Sequence, residues 1–297
     1  MEVTLIGANI VAQKRDFSGT GIPYFPLVTA YTAATLRKHK INFNLIDAFG
    51  ENPFKITEKE DKIIQGLTPE EISEKISLKT DLIIIPSERV VAHKAVLSII
   101  NHIRKITRFS TVPILILENT QAVTAYALKF VSDELFSHGA DYIITGEPEE
   151  KILSFIDTLS KKGSERAGEM AKIPGIIFKN EEGEEIFNNS RSYISDIDSL
   201  GFPPWDLFNL ENYWKLEYAH GPLTSNKYLP LLTSRGCPYP CTFCVVPETN
   251  EKKWRSRSAK NVVDEIEMCI KSFRVHEYHL EDLNPTIDKR RIKEIAK

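Results

Sequence analysis

Between Val3 and Gly146 short segments that are apolar on both faces alternate with longer amphipathic ones. VTLIGANI, FNLIDA, DLIIIPS, VPILILE and ADYIITG are the short ones, and the stretches between them include PLVTAYTAATLRKHK, TPEEISEKISLK, VVAHKAVLSIINHIRK and AVTAYALKFVSDELFSHG. A strand with no polar face has to be covered on both sides, and helices that follow strands one by one do that only around a parallel sheet. In TPEEISEKISLK, Thr68 with Glu71 three residues on predicts a capped helix start. In the first helix Leu27, Ala30, Tyr31, Ala34 and Leu36 are expected toward one side.

Five such strands fit a doubly wound, flavodoxin-like α/β domain over residues 1–160, closed by a helix EEKILSFIDTL that Pro148 opens. Ligands of these sheets sit beyond the carboxyl ends of the strands. That places Phe17 to Pro23, Pro86 to Glu88, Glu118 to Gln121 and Gly146 to Pro148 around any site. Residues 161–227 then read as a polar exposed linker (SKKGSERAGEMAK), a hairpin turning at Glu182 and Gly183, and an irregular connector with Pro203 and Pro204. From Tyr228 the alternation restarts: YLPLLTSRG is a strand, SAKNVVDEIEMCIKSF a helix capped by Ser258, VHEYHLED a second strand and PTIDKRRIKEIAK a helix. The alternation of strand and helix thus resumes over residues 228–297.

The formal net charge of -3 gives no field to attract a polyanion, so nucleic acid is not an expected partner. No apolar run reaches the roughly 18 residues of a membrane span, and the amino terminus lacks a basic secretory region, so a cytoplasmic location is expected. Of four cysteines, Cys237, Cys241 and Cys244 fall within eight residues, RGCPYPCTFC, while Cys269 sits at helical spacing among apolar residues. Thiolates suit soft metals, and three in one loop can hold three irons of a four-iron four-sulfur cluster while one iron stays open. Zinc is the competing occupant. Its sites usually pair two Cys-x2-Cys knuckles, and the sequence has no second pair.

CxxxCxxC in the loop after the strand YLPLLTSRG, with an aromatic residue (Phe243) before the third cysteine, resembles the radical S-adenosylmethionine (SAM) superfamily, which implies that residues 228–297 are the first units of a partial (β/α) barrel. The resemblance implies that the open iron is chelated by SAM and that one electron from the cluster splits the sulfonium to give a 5'-deoxyadenosyl radical. It implies a small-molecule substrate and an electron donor as partners. By the same match Glu281 and Asp282, at the acidic end of the second strand, would hydrogen-bond SAM, unless they cap the helix beginning near Pro285. Arg255 and Arg257 would pair with its carboxylate, unless they are a solvated charge run. The doubly wound domain ahead of the triad, with TGIPYFPLVTAYTAATLRKH and DIDSLGFPPWDL, resembles cobalamin-binding radical SAM proteins. That implies cobalamin contacts from Thr20, Gly21, Ser87, Glu118, Asn119, Gly146 and Glu147. Two features depart from the pattern: RDFSGTGIP carries no histidine to reach cobalt, and LENTQ replaces a glycine pair after the fourth strand.

The expected activity is a radical SAM reaction with a cobalamin domain, either methyl transfer or radical rearrangement and ring formation. A tRNA methylthiotransferase-like enzyme would bring three further cysteines in its leading domain, and none precedes Cys237. A cobalamin-binding or regulatory protein with an inert barrel remnant is the third reading. Tyr228 to Lys297 spans only 70 residues, and a βα unit takes about 30. On that count this stretch alone is expected to fall short of a complete radical reaction.

Overall fold

A computed structural model describes residues 1–14, 24–190, 192–219 and 221–297, the side chain of Ser164 aside. Thr20 and Gly21, with the whole segment Phe17 to Pro23, lie outside the described residues. Strand β1 (Glu2–Gly7) is followed by β2 (Ile10–Gln13), helix α1 (Leu27–Lys38) and β3 (Asn42–Asp47). A hairpin of β4 (Ile56–Lys59) and β5 (Lys62–Gln65) then precedes α2 (Pro69–Lys75). The chain continues through β6 (Leu82–Ser87), α3 (His93–Arg104), β7 (Ile114–Glu118), α4 (Ser132–His138), β8 (Tyr142–Ile144) and α5 (Glu149–Leu159). Parallel pairing in the order β3-β1-β6-β7-β8 is the flavodoxin-like 2-1-3-4-5 order. Thr68 accepts from Glu71 N–H while the Glu71 carboxylate takes the Thr68 N–H, the reciprocal cap expected at α2.

Three expectations give way here. Ile10–Gln13 does not extend β1 but pairs antiparallel with β5, so β2-β5-β4 form a small separate sheet where a polar segment was expected. The segment from Ala122 to Gly139 is helical only at α4, after a short 3-10 turn over Leu128–Phe130. Tertiary hydrogen bonds take its amino-terminal half: Val90 N–H donates to Thr124 O, and the Glu118 carboxylate takes the Leu128 N–H. The stretch read as an exposed linker is helix α6 (Gly163–Met170), which buries Met170 in the core with Ile173. The expected hairpin, β9 (Ile176–Lys179) and β10 (Glu185–Phe187), adds antiparallel to β8, so the main sheet has seven strands among the described residues.

After the connector, which holds α7 (Leu210–Trp214), come β11 (Tyr228–Leu231), β12 (Ser234–Arg235), α8 (Val246–Asn250), β13 (Arg255–Ser256), α9 (Ala259–Phe273), β14 (Glu277–Leu280) and α10 (Lys289–Ile295). β11 and β14 pair in parallel across α9, the first βα repeat of a barrel. Ser258 caps α9 through the Asn261 N–H as expected. The last helix starts later than Pro285, because the Asp288 carboxylate caps it by taking the Arg290 and Arg291 N–H groups.

Two apolar cores lie on the two faces of the main sheet. A third joins the sheet to the half-barrel: Phe25 stacks on Tyr213 at 4.3 Å, and Trp205, Trp214, Tyr228 and Cys269 pack around them. Burial of these large side chains stabilises the contact by about 2–3 kcal/mol apiece. Among the described residues no helix is long and apolar enough to cross a membrane.

Candidate functional site

A cavity of about 380 Å³ opens where the carboxyl ends of the main sheet face the carboxyl ends of β11 and β14. Ala8, Asn9, Asp47, Glu88 and the 118–124 loop wall it on the sheet side, and Leu232, Arg235 and Leu280 to Leu283 on the other. Tyr31, Phe25 and Tyr213 contribute aromatic surface. Such a position follows from topology, since every parallel strand delivers its loop to the same end.

The wall is braced by carboxylates that take backbone N–H groups. Glu88 accepts from Val28 N–H at 3.2 Å, Thr29 N–H at 2.8 Å and the Thr29 hydroxyl at 2.9 Å. Pro26, which precedes α1, has no side chain able to cap it, so the Glu88 carboxylate, just past the end of β6, does so where the helix dipole favours a negative charge. Glu118 accepts from Leu128 N–H and Gly146 N–H, at 2.8 and 2.7 Å. Burial pushes its carboxyl up to about 7, against the pull of those two bonds. Asn119 spans the loop, donating to Glu88 O and accepting from Gln121 N–H.

Two buried polar atoms of cavity-lining residues have no partner among the described residues: Asn9 Oδ1 and Glu149 Oε2. A buried acceptor without a donor is costly, about 1–3 kcal/mol, and is commonly satisfied by a ligand or water. These orphaned acceptors and the aromatic surface suit a large ligand that carries peripheral N–H donors.

The cysteine loop leaves β12 beside this cavity. Gly236, at φ +80, turns the chain where a Cβ would collide with the Lys253 carbonyl oxygen. Cys237 and Cys244 are half-buried, Cys241 is exposed, and none of the three is in a disulfide. Among the described residues no three His, Cys, Asp or Glu side chains are grouped as a ready metal site. Thiolates repel one another, and it is metal binding that supplies the free energy to gather them. As a donor set, three free thiols in one surface loop fit an iron-sulfur cluster. Cys269 is 1% exposed and burial pushes its thiol up to about 12, so it stands apart from that set.

The remaining expected residues divide. Glu118, Asn119, Glu281 and Asp282 line the cavity, whereas Ser87, Gly146, Glu147, Phe243, Arg255 and Arg257 do not. Phe243 is 91% exposed, and Ser87 donates to the Tyr126 hydroxyl behind the wall. Asp282 takes the Thr233 N–H and hydroxyl and the Ser234 hydroxyl, so it clamps the end of β11 rather than capping the last helix. Arg255 is bidentate to Glu147 at 2.8 Å and donates to Ile194 O. Burial works against the charge of Glu147, yet Arg255 and Arg235 hold its carboxyl below the usual range. Arg257 is buried against Glu265 and Leu232 O, so neither arginine is a solvated charge.

Arg235 and Glu149, both at this cavity, were not singled out from the sequence. Arg235 donates to Glu149 at 2.6 Å, lies 5.0 Å from the centre of the Tyr31 ring and has Glu147 within 3.9 Å. An arginine closing the apolar run LPLLTS was the available signal.

No family model matches the chain. It is 26% identical over 294 residues to cytidylyl-2-hydroxyethylphosphonate methyltransferase of Streptomyces wedmorensis, covering 91% of this chain and 53% of that protein. Its fold matches the cobalamin-dependent SAM radical enzyme OxsB, solved with aqua-cobalamin and SAM, at a TM-score of 0.69 and 21% identity, over 99% of this chain and 36% of OxsB. It also matches the radical SAM methyltransferase TsrM of Kitasatospora setae, solved with cobalamin and a [4Fe-4S] cluster, at a TM-score of 0.62 and 16% identity, over 99% of this chain and 50% of TsrM. The chain thus spans about half the length, or less, of these relatives.

Proposed function

We propose that this chain, whose fold is that of cobalamin-dependent radical SAM enzymes, is the cofactor-binding portion of such an enzyme and serves methyl transfer or a radical ring-forming reaction on a small molecule. The observation that carries the reading is one cavity walled both by the carboxyl ends of the doubly wound sheet and by those of the barrel strands, with the cysteine loop rooted at its edge. Residues 1–160 form the cobalamin-binding part, with the hairpin of the 161–227 segment extending its sheet, and residues 228–297 the first barrel units.

In this reading Cys237, Cys241 and Cys244 hold the cluster, Glu281 lines the SAM side, and Asn9, Glu118 and Asn119 line the cobalamin side. When bound, these groups supply one-electron reduction of the SAM sulfonium and a carrier for a methyl group. The protein's own part is placement and exclusion of water. Asp282 fixes Thr233 and Ser234 at the mouth of the half-barrel, Glu88 fixes the start of α1, and Tyr31, Phe25 and Tyr213 keep the cavity wall apolar. The absence of any cysteine before Cys237 weighs against a methylthiotransferase with a second cluster.

Anaerobic reconstitution tests the assignment. The full chain should take up about four irons and bind hydroxocobalamin with a shifted absorbance spectrum, and Cys237→Ala, Cys241→Ala or Cys244→Ala should lose the iron. Stoichiometric zinc in place of iron, or full iron retention after loss of any triad member, would sink the cluster assignment.

A further inference from the structure

The residues that lead into the cysteine loop are held by the wall of the cavity. Arg235 is buried, and its guanidinium is gripped by Glu149 at the amino end of α5. The Gly236 N–H donates to Gln121 Oε1 at 3.1 Å. Gln121, Glu149 and Arg235 all line the cavity, and Cys237 is the next residue in the chain. The far end of the loop is tied to the same wall: Asn250 donates to Thr120 O at 3.3 Å, and Glu248 pairs with Lys129.

We propose that Gln121, Glu149 and Arg235 are positioning residues that couple occupancy of the cavity to the geometry of the cysteine loop. The inference rests on the cofactor reading above. A ligand seated in the cavity touches the side chains that fix the two residues before Cys237. Glu149 is the pivot, because one carboxylate oxygen holds Arg235 while the other, itself buried, has no hydrogen-bond partner among the described residues, so a ligand that packs against Glu149 bears directly on the Arg235 contact. Ordering the wall from one side therefore lowers the cost of ordering it from the other. Binding free energies linked in this way are reciprocal, so iron in the loop must tighten the cavity ligand by the factor by which that ligand tightens iron.

The experiment compares the dissociation constant of hydroxocobalamin, read by absorbance, for the iron-loaded and iron-free full-length chain, and in parallel the rate at which a chelator strips the iron with and without hydroxocobalamin. In the unmodified protein iron should tighten hydroxocobalamin by about fivefold or more, and hydroxocobalamin should slow stripping. Gln121→Ala removes the acceptor for Gly236 N–H, and Glu149→Gln replaces one acceptor oxygen by a donor. Each should bring the ratio of dissociation constants close to one, and Gln121→Glu, which keeps an acceptor for Gly236, should restore it. General damage to the fold would weaken both forms alike and leave the ratio unchanged. A ratio of one in the unmodified protein, or an undiminished ratio in both Gln121→Ala and Glu149→Gln, overturns the coupling while the cofactor reading stands. A chain that takes up neither iron nor hydroxocobalamin overturns the cofactor reading and the coupling with it.

Discussion

The Tyr213 hydroxyl donates a hydrogen bond of 2.9 Å to the Asp47 carboxylate, tying the connector ahead of the half-barrel to the carboxyl end of β3. The carboxylate also takes the Gly50 N–H at 3.1 Å, and it is 4% exposed. Burial outweighs both bonds and pushes the carboxyl up to about 6 from 3.8. Because the folded-state value lies above the unfolded one, the stability contributed by Asp47 is complete below about pH 4 and is lost as pH rises through 6.

Asp47→Asn mimics the protonated carboxyl, since its amide can donate to Tyr213 and its carbonyl can accept from Gly50. The variant should gain roughly 2–3 kcal/mol over the unmodified protein at pH 8 and nothing at pH 4. Denaturant unfolding at pH 4, 6 and 8 checks this, and a difference that does not change with pH would refute it.

Arg257 and Glu265 are both nearly sealed from water, at 4% and 1% side-chain exposure. Removing one partner strands the other, so Arg257→Ala should cost about 3–5 kcal/mol. Arg37 makes an equally well-formed pair with Asp206, but at 45% and 55% exposure. Solvent screens that pair, and Arg37→Ala should cost less than about 1 kcal/mol. Equal losses in urea melts would contradict the argument from burial.

Thiol chemistry should separate the cysteines. In the metal-free native protein at pH 8, Cys237, Cys241 and Cys244 should react with a maleimide within minutes, and Cys269 only on unfolding, because it is buried in α9 and its thiol is held at about 12. Mass spectrometry of the labelled peptides reads the result. Cys269→Ala should also leave iron uptake intact.

No histidine lines the cavity among the described residues. The cob(II)alamin complex should accordingly lack hyperfine splitting from a protein nitrogen in electron paramagnetic resonance. Splitting that disappears on substitution of any histidine would show that a ligand reaches cobalt from elsewhere in the chain.

Much of this architecture was legible because burial leaves a periodic trace. DLIIIPS and VPILILE have no polar face, and they became central parallel strands. The β4–β5 hairpin was hidden for a local reason: its strands are largely polar, and its turn places Glu60 at φ +51 without the glycine or asparagine that marks such turns. Helical pattern in AVTAYALKF was overridden by contacts distant in sequence, which no window on the chain reveals. The same holds at the site. The cysteine triad is local and readable, whereas Arg235 meets Glu149 across 86 positions, and Arg255 meets Glu147 across 108.

Gly236 carries no donor atom for a metal, yet both its backbone angle and the nearby Lys253 carbonyl close the position to any side chain. In a saturation library sorted for iron uptake, position 236 should be depleted as severely as the three cysteines. A loss-of-function screen alone would then score four ligands in this loop, and only the element bound by the surviving protein would tell the spacer from the thiols.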